Sequence, residues 1–208
     1  MNEQTLKHLQ EAFGEMPLNI KFKKLDPRAV IPSYAHNGDV GMDMTAIDVE
    51  YDEEKDLYIY HTGLAFESDF HYGQFLFPRS SNRKTDAYLC NSVGIADSAI
   101  YRGEILFCYK NRDSIETLSI REATKEYMKY ITECCHDKDF SPITAVALFN
   151  ETVHQIKNQA KELAFAPYKV GDKIGQMVFI PYPEVNLIEV DELSTSERGA
   201  NGFGSTGN

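Results

Sequence analysis

Short runs of aromatic and β-branched residues, separated by Gly, Pro, Asn or Asp, occupy most of the chain. They predict six strands, at residues 20–25, 57–61, 74–77, 105–109, 177–180 and 187–190. Many short strands with turn signals between them are typical of a sandwich or a barrel. The pattern therefore predicts a mainly β protein.

Helical spacing replaces this pattern between residues 110 and 167. Ser119 and Glu122 form a capping box that predicts the start of one helix, and Ser141 followed by Pro142 predicts the start of a second. A linker at 136–140 would join them into a helical hairpin. The apolar positions of the two helices are Ile120, Ala123, Tyr127, Tyr130, Ile131 and Cys134, then Ala145, Phe149, Val153, Ile156, Ala160 and Leu163.

The termini differ from the body of the chain. Leu6, Leu9, Phe13 and Met16 recur at helical spacing near the N-terminus. We therefore predict three parts: an N-terminal helical extension at 1–19, a β domain at 20–195 with a helical insert at about 113–166, and a C-terminal arm at 196–208. Core packing or subunit contact is the favoured role of the helices, and binding of a partner protein is the alternative.

The C-terminal arm combines features that suit a nucleotide. Residues 198–207 contain four glycines, Arg198, Phe203, Ser205 and Thr206. Free backbone N–H groups and an arginine bind phosphates, and an aromatic ring stacks on a base. A disordered Gly/Ser tail is the alternative, and by itself the arm favours a nucleotide-closing segment only modestly.

Five segments resemble, in order, the motifs of the trimeric deoxyuridine triphosphate nucleotidohydrolases (dUTPases). They are Val-Gly-Met-Asp-Met-Thr-Ala at 40–46, Pro-Arg-Ser-Ser at 78–81, Asn-Ser-Val-Gly-Ile-Ala-Asp-Ser-Ala-Ile-Tyr-Arg-Gly-Glu at 91–104, Gly-Asp-Lys-Ile-Gly-Gln-Met at 171–177, and the arm. The resemblance covers about residues 20–109 and 168–208. It implies a distorted jelly-roll barrel, assembled as a homotrimer in which subunits share active sites.

The resemblance also implies a reaction, hydrolysis of dUTP to dUMP and pyrophosphate by attack of water at the α-phosphorus. Asp97 matches the carboxylate that activates the water, a role that requires a positioned base. Without the resemblance, a turn or capping role would be the simpler interpretation of Asp97.

Further roles follow from matched positions. The phosphates are expected at Arg79, Ser80, Ser81 and Gln176, and the γ end at Arg198, Ser205 and Thr206. Gly204 is a further substrate-binding residue of the arm. Uracil is expected to be read by Asn91 and the backbone of Gly94 and Ile95, and to stack on Phe203. Tyr101 would lie under the deoxyribose. The resemblance implies Mg²⁺ held largely by phosphate oxygens and water, with Asp43 as an outer-shell partner or, equally, a structural turn residue.

Three positions depart from the family pattern. Tyr101 follows Asp97 by four residues, where the family has three, which predicts a bulge in this hairpin and a less secure sugar contact. Asn82 and Arg83 end the run Ser80-Ser81-Asn82-Arg83, which replaces a small residue followed by an apolar one in the family. An Arg-Ser-Ser run also occurs in the related dCTP deaminases, which makes a deaminase the enzymatic alternative.

The net charge of −11 argues against binding of long nucleic acid, which needs a broad basic surface. A triphosphate must therefore be held by local cations such as Arg79 and Arg102, whereas Lys173 fits a solvated surface charge equally well. The absence of a long apolar run predicts no membrane span. The four cysteines lack the spacing of a zinc site or a redox motif, which indicates reduced thiols in a cytosolic protein. The resemblance to phage-type dUTPases implies the cytosol of a bacterium or of a phage-infected host. The chain resembles phage-type dUTPases in having an insert between the third and fourth motifs, a feature of some members that bind host regulatory proteins. A dUTP-gated binding protein that acts through this insert is therefore the non-enzymatic alternative.

Overall fold

The computed structural model of the protein describes residues 18–68, 71–97, 99–134, 142–160 and 165–196. Ten strands and two helices lie in these residues, which confirms a mainly β fold. The strands are β1 Lys21–Lys24, β2 Met42–Thr45, β3 Asp48–Asp52, β4 Leu57–His61, β5 Leu64–Glu67, β6 Tyr72–Pro78, β7 Ala87–Leu89, β8 Gly94–Ala96, β9 Leu106–Asn111 and β10 Lys173–Pro181. The helices are α1 Ile115–Cys134 and α2 Pro142–Ala160, and a 3₁₀ turn spans Ser80–Lys84.

All strand pairs are antiparallel and form two four-stranded sheets and one small sheet. The first sheet has the order β2-β10-β6-β8, the second sheet has the order β3-β4-β9-β7, and β1 pairs with β5. The two large sheets pack into one core and form a jelly-roll-like sandwich, although the described strands do not close into a continuous barrel.

The core follows from alternation along the strands. In β4, Tyr58 and Tyr60 point inward and are buried, while the residues between and beside them are less buried. Phe107 of the second sheet packs directly on Gly175 of the first, where any Cβ would overlap the ring. Glycine at 175 is therefore required by the close approach of the two sheets.

Two tyrosine hydroxyls of the second sheet bond to β10 and to the segment that precedes it inside this core. Tyr109 Oη donates to the Ile174 carbonyl at 2.6 Å, and Tyr60 Oη donates to the Tyr168 carbonyl at 2.9 Å. Burial raises the pKa of both hydroxyls, so they stay protonated donors. These bonds satisfy polar groups that would otherwise be costly to bury.

Five of the six predicted strands correspond to strands of the structure. The prediction at 187–190 is wrong, because residues 183–190 have no regular secondary structure. Leu187 is 89% exposed and Ile188 is 78% exposed, so these apolar side chains are not packed into the described core. The sequence pattern did not predict the short strands β2, β3, β5, β7 and β8, which are three to five residues long.

Two helices occupy the predicted insert and pack against each other. The predicted capping box is wrong: α1 begins at Ile115, and Ser114 is its cap, with Thr117 N donating to Ser114 Oγ at 3.2 Å. Ser119 lies inside the helix and is fully buried. Ser114 and Ser119 are both residues that can cap a helix. Because β9 ends at Asn111, the chain reaches Ser114 first, and the helix begins there.

Several predictions concern residues outside the described ranges. They include the helix at 6–16, the linker at 136–140, the N-cap Ser141, and the arm from residue 197 onward. Within the described part of the chain, none of the helices is long and apolar enough to span a bilayer.

Candidate active site

A buried carboxylate, Asp43, organises the first group of site residues. It is 6% exposed and accepts hydrogen bonds from Arg79 Nε at 2.8 Å, Lys173 Nζ at 2.8 Å and Gln176 Nε2 at 3.3 Å. Arg79 Nη2 adds a longer bond to its other oxygen at 3.4 Å. We call Asp43, Arg79, Lys173 and Gln176 the Asp43 cluster.

Strand register brings these residues together. Asp43 lies opposite Gln176 in the β2–β10 pair, and Lys173 begins β10 beside an irregularity between Lys173 and Gly175. Arg79 directly follows β6, whose last residue, Pro78, lies opposite Gly175. The cluster therefore forms where β2, β6 and β10 meet, although its members are far apart in sequence.

The surroundings of Asp43 keep its carboxylate ionised. Burial by itself would raise its pKa, but the hydrogen bond from Lys173 and the charge of Arg79 outweigh this effect and lower the pKa below its usual range. Two cations thus surround one anion and leave net positive charge at this point of an acidic protein. Such a locus suits an anionic ligand.

The 3₁₀ turn continues the cluster. Arg79 caps the turn in an extended conformation, and its Nη1 lies 3.4 Å from Ser81 Oγ. Ser80 is exposed and Ser81 is partly buried beside it. The structure therefore groups the three residues expected at the phosphates, Arg79, Ser80 and Ser81, with Gln176.

The second group lies at the edge of the first sheet, on β8 and the turns at its ends. We call residues 91–101 the β8 hairpin. A Cβ at Gly94 would lie 3.0 Å from Leu76 Cβ and 3.2 Å from Asn91 Nδ2. The absence of a side chain at Gly94 lets the Asn91 amide lie close to β8, next to the exposed Ile95.

Asp97 stands at the end of β8 and is exposed. The backbone carbonyl of Asp97 accepts hydrogen bonds from Ile100 N at 2.9 Å and from Tyr101 N at 2.7 Å. The extra residue between Asp97 and Tyr101 is therefore accommodated in a hydrogen-bonded turn. Asp97 lines a largely apolar cavity of about 440 Å³ together with Phe75, Ile95 and Tyr182. A carboxylate at the rim of an apolar cavity can position a water molecule.

Tyr101 is held over Gly103, and its hydroxyl donates to the Glu104 carbonyl at 3.0 Å. The ring is 44% exposed and so has a face available to a ligand. Contact with a deoxyribose stays a prediction.

The two groups face the same side of the first sheet but lie apart. Ala96 pairs with Gln74, so Asp97 comes opposite Gly73, six residues before Arg79. At 3.3 Å per residue this places Asp97 about 20 Å from Arg79 within one chain. None of the hydrogen bonds and ion pairs in the described residues joins the Asp43 cluster to the β8 hairpin.

Several of the remaining predicted contacts lie outside the described residues. Arg198, Phe203, Gly204, Ser205 and Thr206 lie outside the described residues. The described residues contain no group of three or more metal-ligating side chains, and Asp43 is engaged by cations and an amide, so its outer-shell role stays a prediction. The sequence did not predict the contact of Lys173 with Asp43. The position of Lys173 inside a matched motif could have indicated it.

Solved structures share this fold. The dUTPase of Staphylococcus bacteriophage 80alpha with dUPNHPP has a TM-score of 0.58 and 22% identity, over 91% of this chain and 99% of that chain. The dUTPase of phage phi11 of S. aureus has a TM-score of 0.52 and 18% identity, over 86% and 99% of the two chains. The fold is thus that of the dUTPase-like class.

Sequence relatives extend the comparison. The dUTPase family model matches residues 124–207. The deoxyuridine 5'-triphosphate nucleotidohydrolase of Nautilia profundicola is 31% identical over 191 residues, 91% of this chain and 99% of that protein. That of Thermobifida fusca is 30% identical over 201 residues, 96% of this chain and 83% of that protein. The chain belongs to the dUTPase family of enzymes.

Proposed function

We propose that the protein hydrolyses dUTP to dUMP and pyrophosphate at sites shared between subunits of a homotrimer. The observation that carries the proposal is the Asp43 cluster, in which a buried carboxylate holds Arg79, Lys173 and Gln176 together at the meeting point of three strands. Family membership supplies the substrate, and the cluster supplies a locus of positive charge for its phosphates.

Phosphate recognition follows from the chemistry of the cluster. Arg79 is fixed through Nε by Asp43, and its side chain is 28% exposed, so it is oriented before the ligand arrives. Preorganised donors lower the entropic cost of binding and favour charge that develops in the transition state. Ser80, Ser81 and the Gln176 amide add neutral donors beside the guanidinium.

Base recognition is assigned to the β8 hairpin. β8 is an edge strand, so its outer backbone N–H and C=O groups are available to pair with a uracil edge. Asn91 lies next to this edge and adds a side-chain amide. A buried polar base edge discriminates strongly against cytosine, because the wrong base leaves donors and acceptors unpaired.

The chemical step is assigned to Asp97. The carboxylate accepts a proton from a water whose oxygen forms a bond to the α-phosphorus, and the bond from that phosphorus to the α,β-bridging oxygen breaks to release pyrophosphate. Asp97 is exposed at the cavity rim, and its carboxylate makes no described hydrogen bond or ion pair. It is thus available to a bound water.

Mg²⁺, when bound, would neutralise phosphate charge and orient the pyrophosphate leaving group. The described residues form no metal cage. These residues fit an ion that would be held mainly by phosphate oxygens and water. Asp43, the carboxylate of the Asp43 cluster, would be its protein partner in the outer shell.

The distance between the two groups supports sharing between subunits. One nucleotide must contact Arg79 at its phosphates and Asp97 at the α-phosphorus, yet these residues are about 20 Å apart in one chain by strand register. Apolar side chains separate them on the same face of the first sheet, including Phe75, Ile95 and Ile180. A second subunit on this face would bring its β8 hairpin to the Asp43 cluster.

A regulatory role is the second candidate, favoured by the α1–α2 insert, whose helices pack on each other. The solved dUTPase of bacteriophage 80alpha is described as one of the phage dUTPases that control transfer of virulence genes by a proto-oncogenic G protein-like mechanism. In this chain, the insert would bind a partner protein in a manner that depends on bound dUTP.

One panel of substrates tests these proposals. The purified protein is incubated with Mg²⁺ and dUTP, dCTP or UTP, and pyrophosphate and ammonia are measured. We expect rapid pyrophosphate release from dUTP alone. Ammonia from dCTP would identify a deaminase, and tight dUTP binding with negligible turnover would favour the binding protein over the enzyme.

A further inference from the structure

Asn82 departs from the family pattern, in which an apolar residue continues the second motif. Its backbone organises the 3₁₀ turn: Asn82 N donates to the Arg79 carbonyl at 2.9 Å, and the Asn82 carbonyl accepts from Thr85 N at 3.0 Å. Any movement of Asn82 would therefore move the turn that carries Arg79, Ser80 and Ser81.

The side-chain amide of Asn82 is anchored on three sides. Nδ2 donates to the Ala87 carbonyl at 3.1 Å, and Oδ1 lies 2.9 Å from Tyr168 Oη and 3.0 Å from Thr85 Oγ1. Thr85 Oγ1 is also 2.8 Å from the Asn82 carbonyl, and one hydroxyl proton cannot serve both acceptors fully. The hydroxyl of Tyr168 is therefore the dedicated donor to Asn82 Oδ1.

Tyr168 is itself fixed by the core. It is 7% exposed, its backbone N donates to Tyr60 Oη at 2.9 Å, and its ring packs edge-on against Tyr60 and Tyr109 with centroids 6.0 and 5.1 Å away. Burial raises the pKa of Tyr168, which keeps its hydroxyl protonated at neutral pH. A rigid ring thus presents a donor at a defined point.

We infer that Tyr168 is a positioning residue that holds the phosphate-binding turn through its hydrogen bond to Asn82. The polar pair Asn82–Tyr168 lies where the family motif continues with an apolar residue. The inference rests on the proposed function for its substrate, and it names a residue that acts through the turn without touching the nucleotide.

The hydrogen bond between Tyr168 and Asn82 also connects the 3₁₀ turn to the base of the helical insert. Asn111, the last residue of β9, donates through Nδ2 to the Phe165 carbonyl at 3.0 Å, and Tyr168 follows three residues later. The two ends of the insert are therefore tied together at the point where Tyr168 enters the core. The anchoring of the phosphate turn depends on this junction, and the helices beyond it are not part of the contact.

The test compares Tyr168→Phe with wild type in steady-state dUTP hydrolysis. The ring and its packing remain, and only the hydroxyl is lost. We expect KM to rise roughly fivefold with kcat unchanged, the factor equivalent to about 1 kcal/mol of hydrogen-bond free energy. Tyr51→Phe is the matched control. It also removes a tyrosine hydroxyl, one that donates to Asp56 at 2.7 Å, but it lies on the second sheet, whereas the phosphate turn follows a strand of the first.

The double variant Asn82→Leu with Tyr168→Phe supplies a rescue. It replaces the polar pair by an apolar one, and we expect KM to return toward wild type. A purely structural role of Tyr168 would lower the melting temperature and leave KM unchanged. An unchanged KM in Tyr168→Phe, an equal KM rise in Tyr51→Phe, or no recovery in the double variant would each overturn the inference.

Binding of the non-hydrolysable analogue dUpNHpp provides a second readout. If wild-type protein binds it but releases no pyrophosphate from dUTP, the proposed hydrolysis fails while the Kd of the variants still tests the positioning role. We expect a roughly fivefold weaker Kd for Tyr168→Phe. Should this variant not fold, Asn82→Ala removes the same contact from the other side, and an unchanged Kd there contradicts the inference.

Discussion

The Asp43 cluster and the β8 hairpin lie on one face of the same sheet but are built in opposite ways. Asp43 is buried and ion-paired on β2, whereas Asp97 is exposed after β8, at the opposite edge of the sheet. The first arrangement stabilises the fold while it orients cations. The second leaves a carboxylate and backbone groups available to a ligand, and substitutions there should affect chemistry more than stability.

The largest expected effect is at Asp97. Asn keeps the shape but cannot accept the water proton, so we expect kcat to fall at least about 10³-fold with KM nearly unchanged. Because the side chain is exposed, the free energy of unfolding should stay within about 0.5 kcal/mol of wild type. Near-normal turnover of Asp97→Asn would remove this residue from the mechanism.

Truncation of the chain before Ser196 removes the arm, which belongs neither to the Asp43 cluster nor to the β8 hairpin. We expect kcat/KM for dUTP to fall about 10²- to 10³-fold, since donors to the γ end and the stacking ring are lost. Sedimentation and far-ultraviolet circular dichroism should still show a folded trimer. Loss of folding would instead make the arm a structural element.

Asp43→Asn tests the opposite side of the comparison. Removal of the buried charge leaves Arg79 and Lys173 without their anion, and we expect a loss of about 2–4 kcal/mol in the free energy of unfolding. Chemical denaturation of both proteins measures it. An equally stable variant would show that the cluster does not support the fold.

The same pair of proteins gives a pH dependence. The pKa of Asp43 is lower in the folded protein than in the unfolded chain, so its contribution is complete above the unfolded value of about 4 and disappears as pH falls through the folded value. The stability difference from Asp43→Asn should be constant above about pH 5 and shrink below about pH 4. A difference that grows on acidification would contradict the assigned charge state.

Mixed trimers test the separation of the two groups. Asp97→Asn and Arg79→Ala chains are each expected to be inactive alone. If one subunit contributes Asp97 and another Arg79, random co-assembly should restore about a quarter of wild-type sites. No recovery after co-refolding, with trimers verified by sedimentation, would place both residues in one subunit's site.

The smallest effect on hydrolysis is expected from removal of the helical insert. Replacement of residues 115–164 by a short Gly/Ser linker keeps Asn111, Phe165 and Tyr168, and we expect kcat/KM to stay within about threefold of wild type. Deletion of residues 113–166, which also removes Phe165, should be more damaging. Monomers or aggregates after the shorter deletion would show that the insert supports assembly.

The amino-acid sequence by itself determined the fold class, the helical insert and the matched motifs. The run of aromatic and β-branched residues at Leu57–His61 predicts a strand, because such side chains pack well on a pleated, partly buried surface. The sequence could not locate the cap of α1, because Ser114 and Ser119 are both able to cap, nor assign 187–190, whose apolar side chains are exposed outside any strand.

Only the tertiary structure decided how the site residues combine. Asp43 meets Arg79, Lys173 and Gln176 through strand register, over separations of 36 to 133 residues, and the packing of Tyr168 in the core gives Asn82 its donor. Long-range contacts of this kind depend on which strands pair and in what register. Local sequence does not encode these choices, because the free energy of register comes from burying a whole face at once.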